Sequence, residues 1–515
     1  MPVRLTLSIL ALATLLACGG HPVERVCIVV NQASPISLAI GEADARAREI
    51  PDDQIIRLDI PLADPALGDR RHESIGRDDF ERLIRQPLER IFEERDWVDE
   101  MEVIVTTKGI PLRIEGPEVP TRFLLRDNTA ASVDAELSLL FSPLIGSPGV
   151  VTSGNPYFGR TISFRDFRAQ HPGSPLRYMV ARLTGFQTPL ESGSALPRDI
   201  GRLLANAQAE PVERALWLID LDPALPGPIE VANDLLLASA VGSLDSLGMR
   251  LVVHEDEGFA GDFEAIQGYA SWGSNASRDS LPGAYGEAEG RTYPGRFAPR
   301  ALATDLVSSN GRSFTAPPRY GQALVADLIA LGVGGATAHV AEPTLPGVAR
   351  PQILLSQYAQ GVRAIEAYYR ALPYLGWMNI YVGDPLMQLP ATAPEKFRMD
   401  SDGDGQVDWR DNCRLVPNPR QRDTDGDGYG NFCDADVNAD GRTTTSWGES
   451  FPRSKRGDVE AIALTARDGL YHPDHDLDGD NKVNERDVSI AQLLLFRPPG
   501  PGPSPRPPET RPGGS

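Results

Sequence analysis

Histidine and cysteine are scarce in this chain, which has 7 and 4 of them among 515 residues. So few histidines leave few candidates for a general base. The chain also lacks a G-x-S-x-G elbow, a P-loop and an H-E-x-x-H motif, the short signatures of common hydrolases, nucleotide-binding proteins and zinc peptidases. No apolar run of membrane-spanning length follows the N-terminal segment.

Basic residues are outnumbered by acidic ones, 50 to 71, which gives a formal net charge of −21. An acidic chain repels the phosphate backbone, so the sequence argues against a nucleic-acid partner. Much of the acidic excess lies in loops near the C-terminus. The remaining composition is ordinary, with 41% hydrophobic and 23% charged residues, and the length predicts more than one domain.

The first 18 residues have the pattern of an export signal. Arg4 is followed by an apolar run over residues 5–16, which is too short to span a membrane. The tetrapeptide L-L-A-C ending at Cys18 resembles a bacterial lipobox, which implies that Cys18 is lipidated and anchors the protein to a membrane. Gly19 resembles the outer-membrane sorting pattern. An ordinary secretory signal is the alternative. Both predict an exported protein, and the lipobox predicts a lipoprotein of the outer membrane or cell surface.

Two aspartate-rich loops near the C-terminus are almost alike. Each has carboxylates at positions 1, 3, 5 and 12 and a glycine at position 6, the spacing of a Ca²⁺ loop. Short side chains at alternate positions of a tight turn supply the oxygen ligands that Ca²⁺ needs, and the glycine permits a positive φ. The candidate ligands are Asp400, Asp402, Asp404, Gln406, Asp408 and Asp411 in the first loop, and Asp423, Asp425, Asp427, Tyr429, Asn431 and Asp434 in the second.

Two further loops are less regular. The twelfth position of the third loop is Trp447, which cannot bind metal, so an insertion is predicted that makes Asp458 the closing ligand at the start of a helix. In the fourth loop Asn481 replaces the glycine, and asparagine tolerates the left-handed conformation; Lys482 would bind through its carbonyl. The candidate ligands are Asp436, Asn438, Asp440, Arg442 and Asp458, then Asp476, Asp478, Asp480, Lys482, Asn484 and Asp487.

The first two loops resemble thrombospondin type 3 repeats. The resemblance covers residues 400–434 and is carried by both D-x-D-G-D-G runs, a D-N-C turn, an N-P-x-Q stretch and a closing C-D. It implies a segment wound around Ca²⁺ ions with almost no hydrophobic core. It also implies a disulfide between Cys413 and Cys433, and closing a loop of about 20 residues contributes roughly 3 kcal/mol. Ca²⁺ loops and a disulfide both agree with export.

The last two loops resemble a dockerin module, which has two EF-hand-like repeats of D-x-[N/D]-x-D-G-x-V-x-x-x-D followed by a helix. The second repeat matches, and the first departs through its insertion. The resemblance implies a cohesin-like protein partner; a purely structural Ca²⁺-stabilised module is the alternative. The predicted boundaries are a linker over 390–398, thrombospondin-like repeats over 399–435, a dockerin-like pair over 436–497 and a disordered tail over 498–515.

Residues 22–389 alternate strand and helix patterns. Strands are predicted at residues 26–31, 55–60, 101–107, 215–221, 250–254 and 336–340, and helices at 36–50, 79–94, 231–247 and 320–331. The alternation predicts an α/β fold, a mostly parallel sheet with helices on both faces, joined to a small Ca²⁺-stabilised module of loops and short helices. Cys27 lies in the first apolar run and is predicted to be a buried free thiol.

This domain resembles a bacterial family of conserved proteins that has no established activity. T-K-G-I-P-L from Thr107, A-R-L-T-G from Ala181 and G-D-P from Gly383 are among the stretches that carry the resemblance. The family has aspartate where this chain has Thr184, so any role of that carboxylate is absent here.

A second resemblance is to gingipain-type cysteine peptidases, which have a caspase-like α/β fold. It rests on Y-x-x-W-G-S from Tyr269 and S-S-N-G-x-x-F from Ser308. It implies that Trp272 occupies the position of the catalytic histidine, and that Ser308 or Ser309 occupies that of the cysteine. Tryptophan cannot act as a base, and a serine hydroxyl needs one.

Two functions follow from these patterns. The first is an exported, non-catalytic Ca²⁺-binding lipoprotein used for recognition or assembly. The second is a hydrolase on a caspase-like scaffold, in which Ser308 or Ser309 lies within hydrogen-bond reach of His254 or His339. His254 ends a predicted strand, which is where sites of α/β proteins gather. The sequence favours the first function because the second lacks a complete set of catalytic residues.

Overall fold

The computed structural model describes residues 22–61, 73–115, 131–146, 153–186, 196–212, 215–221, 228–256, 258–273, 285–288, 290–316, 318, 321–343, 345–390, 400–406, 408, 411–439, 441–445 and 457–502. The predictions for Cys18, Asp440, Trp447, most of the linker and most of the tail lie outside these residues. Within them, no helix has both the length and the apolar character needed to cross a membrane.

The strands are β1 (Val26–Asn31), β2 (Ile55–Leu58), β3 (Ser74–Gly76), β4 (Val103–Thr107), β5 (Arg113–Glu115), β6 (Ala131–Ser132), β7 (Met179–Leu183), β8 (Leu216–Asp220), β9 (Arg250–His254), β10 (Phe263–Ser271), β11 (Gly286–Ala288), β12 (Arg291–Tyr293), β13 (Gly295–Asp305), β14 (Gly335–His339) and β15 (Asn379–Gly383). The helices are α1 (Pro35–Arg48), α2 (Arg77–Phe80), α3 (Gln86–Glu94), α4 (Val133–Leu137), α5 (Phe164–Gln170), α6 (Arg198–Gln208), α7 (Pro228–Ser246), α8 (Val325–Leu331), α9 (Pro351–Ala359), α10 (Ala364–Ala371), α11 (Asp458–Arg467) and α12 (Glu485–Leu493).

Ten strands form one sheet in the order β2-β1-β4-β7-β15-β14-β13-β10-β8-β9. Among the described pairings of this sheet, only β14 and β15 are antiparallel. The sheet therefore consists of two parallel blocks that run in opposite directions and meet at β14 and β15. This confirms the predicted α/β fold with a mostly parallel sheet.

Six strands of the sheet are buried along their whole length, as a parallel sheet covered on both faces requires: β1, β4, β7, β8, β14 and β15. The edge strand β9 and the N-terminal parts of β10 and β13 are partly exposed. Cys27 in β1 is completely buried, and burial raises the pKa of its thiol to about 12. The prediction of a buried free cysteine is confirmed. A thiol with so high a pKa has almost no thiolate at neutral pH and acts as a small apolar side chain.

Four strands of the sheet, β7, β10, β13 and β15, are missing from the predicted elements. In β7 the charged Arg182 interrupts the apolar pattern, yet it is buried and forms a bidentate ion pair with Asp134 (2.9 and 2.5 Å). In β10 the ring of Trp217 fills the space beside Gly268, where a Cβ would lie 2.0 Å from a ring carbon. Long-range partners therefore decide these strands.

The C-terminal segment packs against the α/β domain. Leu415 and Leu493 belong to the main hydrophobic core, while Ile462, Leu477 and Ile490 belong to a second, smaller core within the segment. Helix α12 lies against α7. The segment is therefore a module with its own apolar centre and a direct interface with the larger domain.

Candidate metal centres

The first aspartate of an acidic loop binds the backbone of its own turn. Asp400 accepts hydrogen bonds from the N–H groups of Gly403 and Gly405, both at 2.8 Å. Asp423 and Asp476 make equivalent bonds in the second and fourth loops. The glycines at these turns have positive φ, 76° at Gly403 and 91° at Gly405, as the tight winding requires.

The winding brings three groups of carboxylates together. In each group, one oxygen of every residue lies within 4.8 Å of the others. The donors are hard anionic oxygens, which suit Ca²⁺ and Mg²⁺ rather than thiophilic metals. The groups are Asp400, Asp402 and Asp404; Asp423, Asp425 and Asp427; and Asp476, Asp478 and Asp487.

Two carboxylate oxygens of the first loop are buried without a hydrogen-bond donor, Oδ2 of Asp402 and Oδ2 of Asp411. Burial, with repulsion from neighbouring carboxylates, raises the pKa of Asp402 to about 9 and that of Asp411 to about 6. A buried acceptor without a donor costs about 1–3 kcal/mol, and more for a charged group. A divalent cation would supply the missing positive charge, so the residues present fit such an ion.

The ninth position of three loops has a local partner. Asp408 accepts hydrogen bonds from the N–H (2.6 Å) and the hydroxyl (2.7 Å) of Ser401. Asn431 accepts from the N–H of Thr424 (3.0 Å), and Asn484 caps helix α12. These side chains tie position 9 of each loop to the loop or helix beside it, and their role as ligands stays a prediction.

Helix α11 begins at the residue that was expected to close the third loop. Asp458 accepts hydrogen bonds from the N–H groups of Asn438 (3.2 Å) and Thr444 (2.7 Å). Asp487 has the same relation to the fourth loop, where it accepts from the N–H of Leu477 (2.7 Å). Both aspartates thus lie in the first turn of a helix and reach back into the loop before it.

The second loop adjoins a small cavity of about 10 Å³, about the space of one water molecule. Its lining includes Asp425, Asp434, Asp436 and Asp474. Burial and repulsion from Asp427 raise the pKa of Asp434 to about 7. The loop pattern does not predict Asp474, because this residue precedes the fourth loop. The available signal was its position two residues before Asp476.

The carbonyls of Gln406, Tyr429, Arg442 and Lys482 remain predicted ligands.

Cys413 and Cys433 form a disulfide, as the resemblance implied. Replacing both by alanine is expected to lower the free energy of unfolding of the C-terminal module by about 3 kcal/mol, because the unfolded chain gains the entropy of a 20-residue loop. Urea denaturation in saturating Ca²⁺ measures the loss. Reduction with dithiothreitol should destabilise the wild type and leave the double variant unchanged. Equal denaturation midpoints for the two proteins would contradict the expectation.

Polar side chains line one edge of the sheet in the α/β domain. Asp220, Ser271 and Asp305 end three neighbouring strands and are in register. His254 ends the next strand, with Nδ1 2.8 Å from Oδ1 of Asp220, and the hydroxyl of Tyr269 donates to the other oxygen of that carboxylate (3.0 Å). These residues form a polar rim at the carboxyl ends of one parallel block.

The two candidate serines lie against an amide and not against a histidine. The amide nitrogen of Gln322 donates to Oγ of Ser308 (2.9 Å), and the hydroxyl of Ser309 donates to the amide oxygen. Nδ1 of His339 lies 3.0 Å from the carbonyl of Val307, and burial lowers the pKa of this imidazole to about 4. Within the described ranges no serine–histidine hydrogen bond joins the four candidates, so the serine–histidine pair that the hydrolase hypothesis requires is not formed among them.

Asp305 is expected to make the stability of the α/β domain depend on pH. Burial raises its pKa to about 7, and its hydrogen-bond donors are the neutral groups of Val307, Tyr285 and Asn310. The unfolded pKa is about 3.9, so the stabilisation by its proton is complete below pH ~4 and is lost as pH rises through about 7. Between pH 4 and pH 8, the free energy of unfolding of Asp305→Asn should rise relative to that of the wild type by up to roughly 4 kcal/mol. Urea denaturation of both proteins across this pH range measures the change. A difference in free energy of unfolding that does not vary with pH would contradict the prediction.

Three comparisons with known proteins found no relative of this chain. Neither a protein-family model, nor a curated protein, nor a solved structure matches the chain. The conclusions about function therefore rest on the residues and contacts of the chain itself.

Proposed function

We propose that the chain is an exported Ca²⁺-binding protein without catalytic activity, whose C-terminal module is ordered by Ca²⁺ and serves recognition or assembly. The observation that carries the proposal is the convergence of three carboxylate groups, together with the buried, donor-less oxygens of Asp402 and Asp411. Two carboxylates about 4 Å apart repel by roughly 4 kcal/mol near a protein surface. A bound cation would offset this repulsion and let the loops keep their charge in this arrangement.

The first loop touches the α/β domain, which couples the ion to the rest of the molecule. A Cβ on Gly242 of α7 would lie 2.5 Å from the carbonyl oxygen of Asp402, so the helix and the loop backbone are in direct contact. The hydroxyl of Ser246 donates to the carbonyl of Asp400 (3.2 Å). Ca²⁺ in this loop would therefore fix the surface by which the module packs on α7.

Beyond the loop, the amide of Gln352 donates to the carbonyl of Leu415 (3.1 Å), and Arg414 donates to the carbonyl of Gly159 (2.9 Å). These bonds join the disulfide-closed segment to the domain. The Ca²⁺ would thus act as a structural ion that holds a clamp closed, and not as a transient signal.

The proposal includes the location and the partner expected from the sequence. A lipid on Cys18 would anchor the protein at the outer membrane or cell surface. A cohesin-like partner would have to bind the dockerin-like pair on surfaces other than the apolar face of α12, because Leu493 of that face belongs to the main core. The purely structural alternative, a module that serves its own α/β domain, accounts directly for this packing.

Calorimetric titration of the metal-stripped protein with CaCl₂ tests the proposal. We expect saturable binding at three or more sites, with Mg²⁺ binding more weakly, because Mg²⁺ demands near-octahedral geometry and gives up its waters reluctantly. Removing the candidate ligands of the fourth loop by Asp476→Asn with Asp478→Asn should reduce the stoichiometry by one. Titrations without saturable heat, or with equal affinity for the two ions, would contradict the assignment.

The hydrolase is the second candidate, and one observation favours it. The buried carboxylate of Asp220 orients His254, and an oriented histidine at a strand end is the arrangement of a general base. A caspase-like scaffold with altered chemistry would use this pair. A fluorophosphonate probe tests the idea, since labelling that is lost in His254→Gln would support a serine hydrolase. Absence of labelling at any pH between 5 and 9 would remove it.

A further inference from the structure

A cavity of about 280 Å³ lies where the C-terminal module meets the α/β domain. One wall belongs to α7 and to the start of α9. The opposite wall belongs to α12 and to the segment after Cys413. Most of the lining is apolar and includes Leu236, Val416, Phe432, Ile490, Leu493 and Leu494.

Two arginines of this lining are buried, Arg350 at 2% and Arg497 at 8% exposure. The two terminal nitrogens of Arg350 make four hydrogen bonds to main-chain carbonyls, those of Leu345, Pro346, Val348 and Leu493, so its fork is already occupied. Arg497 lies over the ring of Phe158 at 4.3 Å and donates to the carbonyl of Gly500 at 3.4 Å. Carbonyl oxygens and a ring face satisfy donors, but they bring no negative charge to balance the two guanidiniums.

The two guanidiniums also repel each other. Burial, together with the charge of Arg497, lowers the pKa of Arg350 to about 9, and burial lowers the pKa of Arg497. Across the described ranges, no carboxylate forms an ion pair with either of them. Arg486 differs, because it lines the cavity, is half exposed and pairs with Asp478 at 2.9 Å. The charge that lacks a counter-ion is therefore confined to Arg350 and Arg497.

We infer that this cavity binds an amphiphilic anion of the medium-chain carboxylate class, with its carboxylate hydrogen-bonded to Arg497, its charge balancing that of Arg497 and Arg350, and its chain along the apolar wall. A carboxylate forms charge-assisted, bidentate hydrogen bonds with a guanidinium. The leucine and isoleucine side chains would remove the chain from water. The inference does not depend on the metal assignment, but the cavity exists only while the module is docked.

The inference is tested by titrating the protein, freed of any bound fatty acid, with sodium octanoate in buffer that contains Ca²⁺. We expect saturable binding at one site. Arg497→Met, which roughly keeps the length of the side chain and removes its charge, should lower the affinity for octanoate by about tenfold or more. Arg296→Met is the matched control, because this arginine is 78% exposed in its side chain and belongs to β13 outside the cavity; its affinity should equal that of the wild type.

Two comparison ligands separate the contributions of the chain and of the charge. Octanol has the chain without the charge and acetate has the charge without the chain, so both should bind at least tenfold more weakly than octanoate. Ala238→Phe narrows the cavity from an exposed position of its lining and should block octanoate while leaving both arginines in place. The inference is overturned if wild-type protein shows no saturable binding of octanoate, if octanol binds equally well, or if Ala238→Phe leaves the affinity unchanged.

Discussion

Excess EDTA is expected to unfold the C-terminal module at temperatures where the α/β sheet stays folded. An ion at a thousand times its Kd stabilises the folded state by about 4 kcal/mol per site. Three carboxylate groups would therefore contribute roughly 12 kcal/mol, which is comparable to the whole stability of a typical domain. Differential scanning calorimetry should show a single transition for the Ca²⁺-loaded protein and two separate transitions in EDTA.

Loss of the module should also affect the larger domain, to a smaller extent. Leu415 and Leu493 leave the main core when the module unfolds, and their removal exposes apolar surface on α7 and α9. The upper transition is therefore expected to shift down by a few degrees, while readdition of Ca²⁺ should restore the original trace. A trace that EDTA leaves unchanged would show that the loops do not need a cation.

Asp402→Asn is expected to have effects of opposite sign with and without Ca²⁺. In Ca²⁺ the substitution removes a charged ligand from a buried site and should lower the free energy of unfolding of the module by roughly 3–5 kcal/mol. In EDTA it removes a buried acid whose pKa is raised to about 9 by burial and by Asp411, Asp404 and Asp400, so the cost of keeping this group protonated at neutral pH disappears and that free energy should rise by roughly 1–3 kcal/mol. Urea denaturation in Ca²⁺ and in EDTA, at a temperature below the transition of the module in EDTA, gives the two values.

The matched control is Asp468→Asn, which removes the same charge from an exposed position at the end of α11. Its effect should be below about 0.5 kcal/mol and of similar size in Ca²⁺ and EDTA. A destabilisation by Asp402→Asn that is equal under the two conditions would mean that the carboxylate serves only packing or hydrogen bonding, and that no ion binds in the first loop.

The acidic loops could be predicted from the sequence because their geometry is local. The aspartates that bind the turn and the glycines that permit it lie within a dozen residues, so spacing alone places Asp400, Asp402 and Asp404 together. The local partners of Asp408 and Asn431 are less obvious. They depend on hydroxyl groups at position 2 of each loop, Ser401 and Thr424, which the ligand pattern does not consider.

The arrangement of the sheet could not be predicted, because it depends on contacts between distant segments. The antiparallel join of β14 and β15 needs two glycines, since a Cβ at Gly383 would lie 2.4 Å from the Cα of Gly335. Strand β13 contains Pro299 and Arg300, which hide its strand pattern. The docking of the module on α7 likewise depends on Gly242, which in the sequence is one glycine of an ordinary helix.

Hydrogen–deuterium exchange of the intact protein, with saturating Ca²⁺ and with EDTA, tests the central claim most directly. The claim is that Ca²⁺ holds the C-terminal module closed on the α/β domain. Peptides from α11, from α12 and from the part of α7 that contacts the module should exchange at least a hundredfold faster in EDTA. Peptides from β1 and β4 should remain protected. Protection of α12 and α7 that does not change when Ca²⁺ is removed would contradict the account.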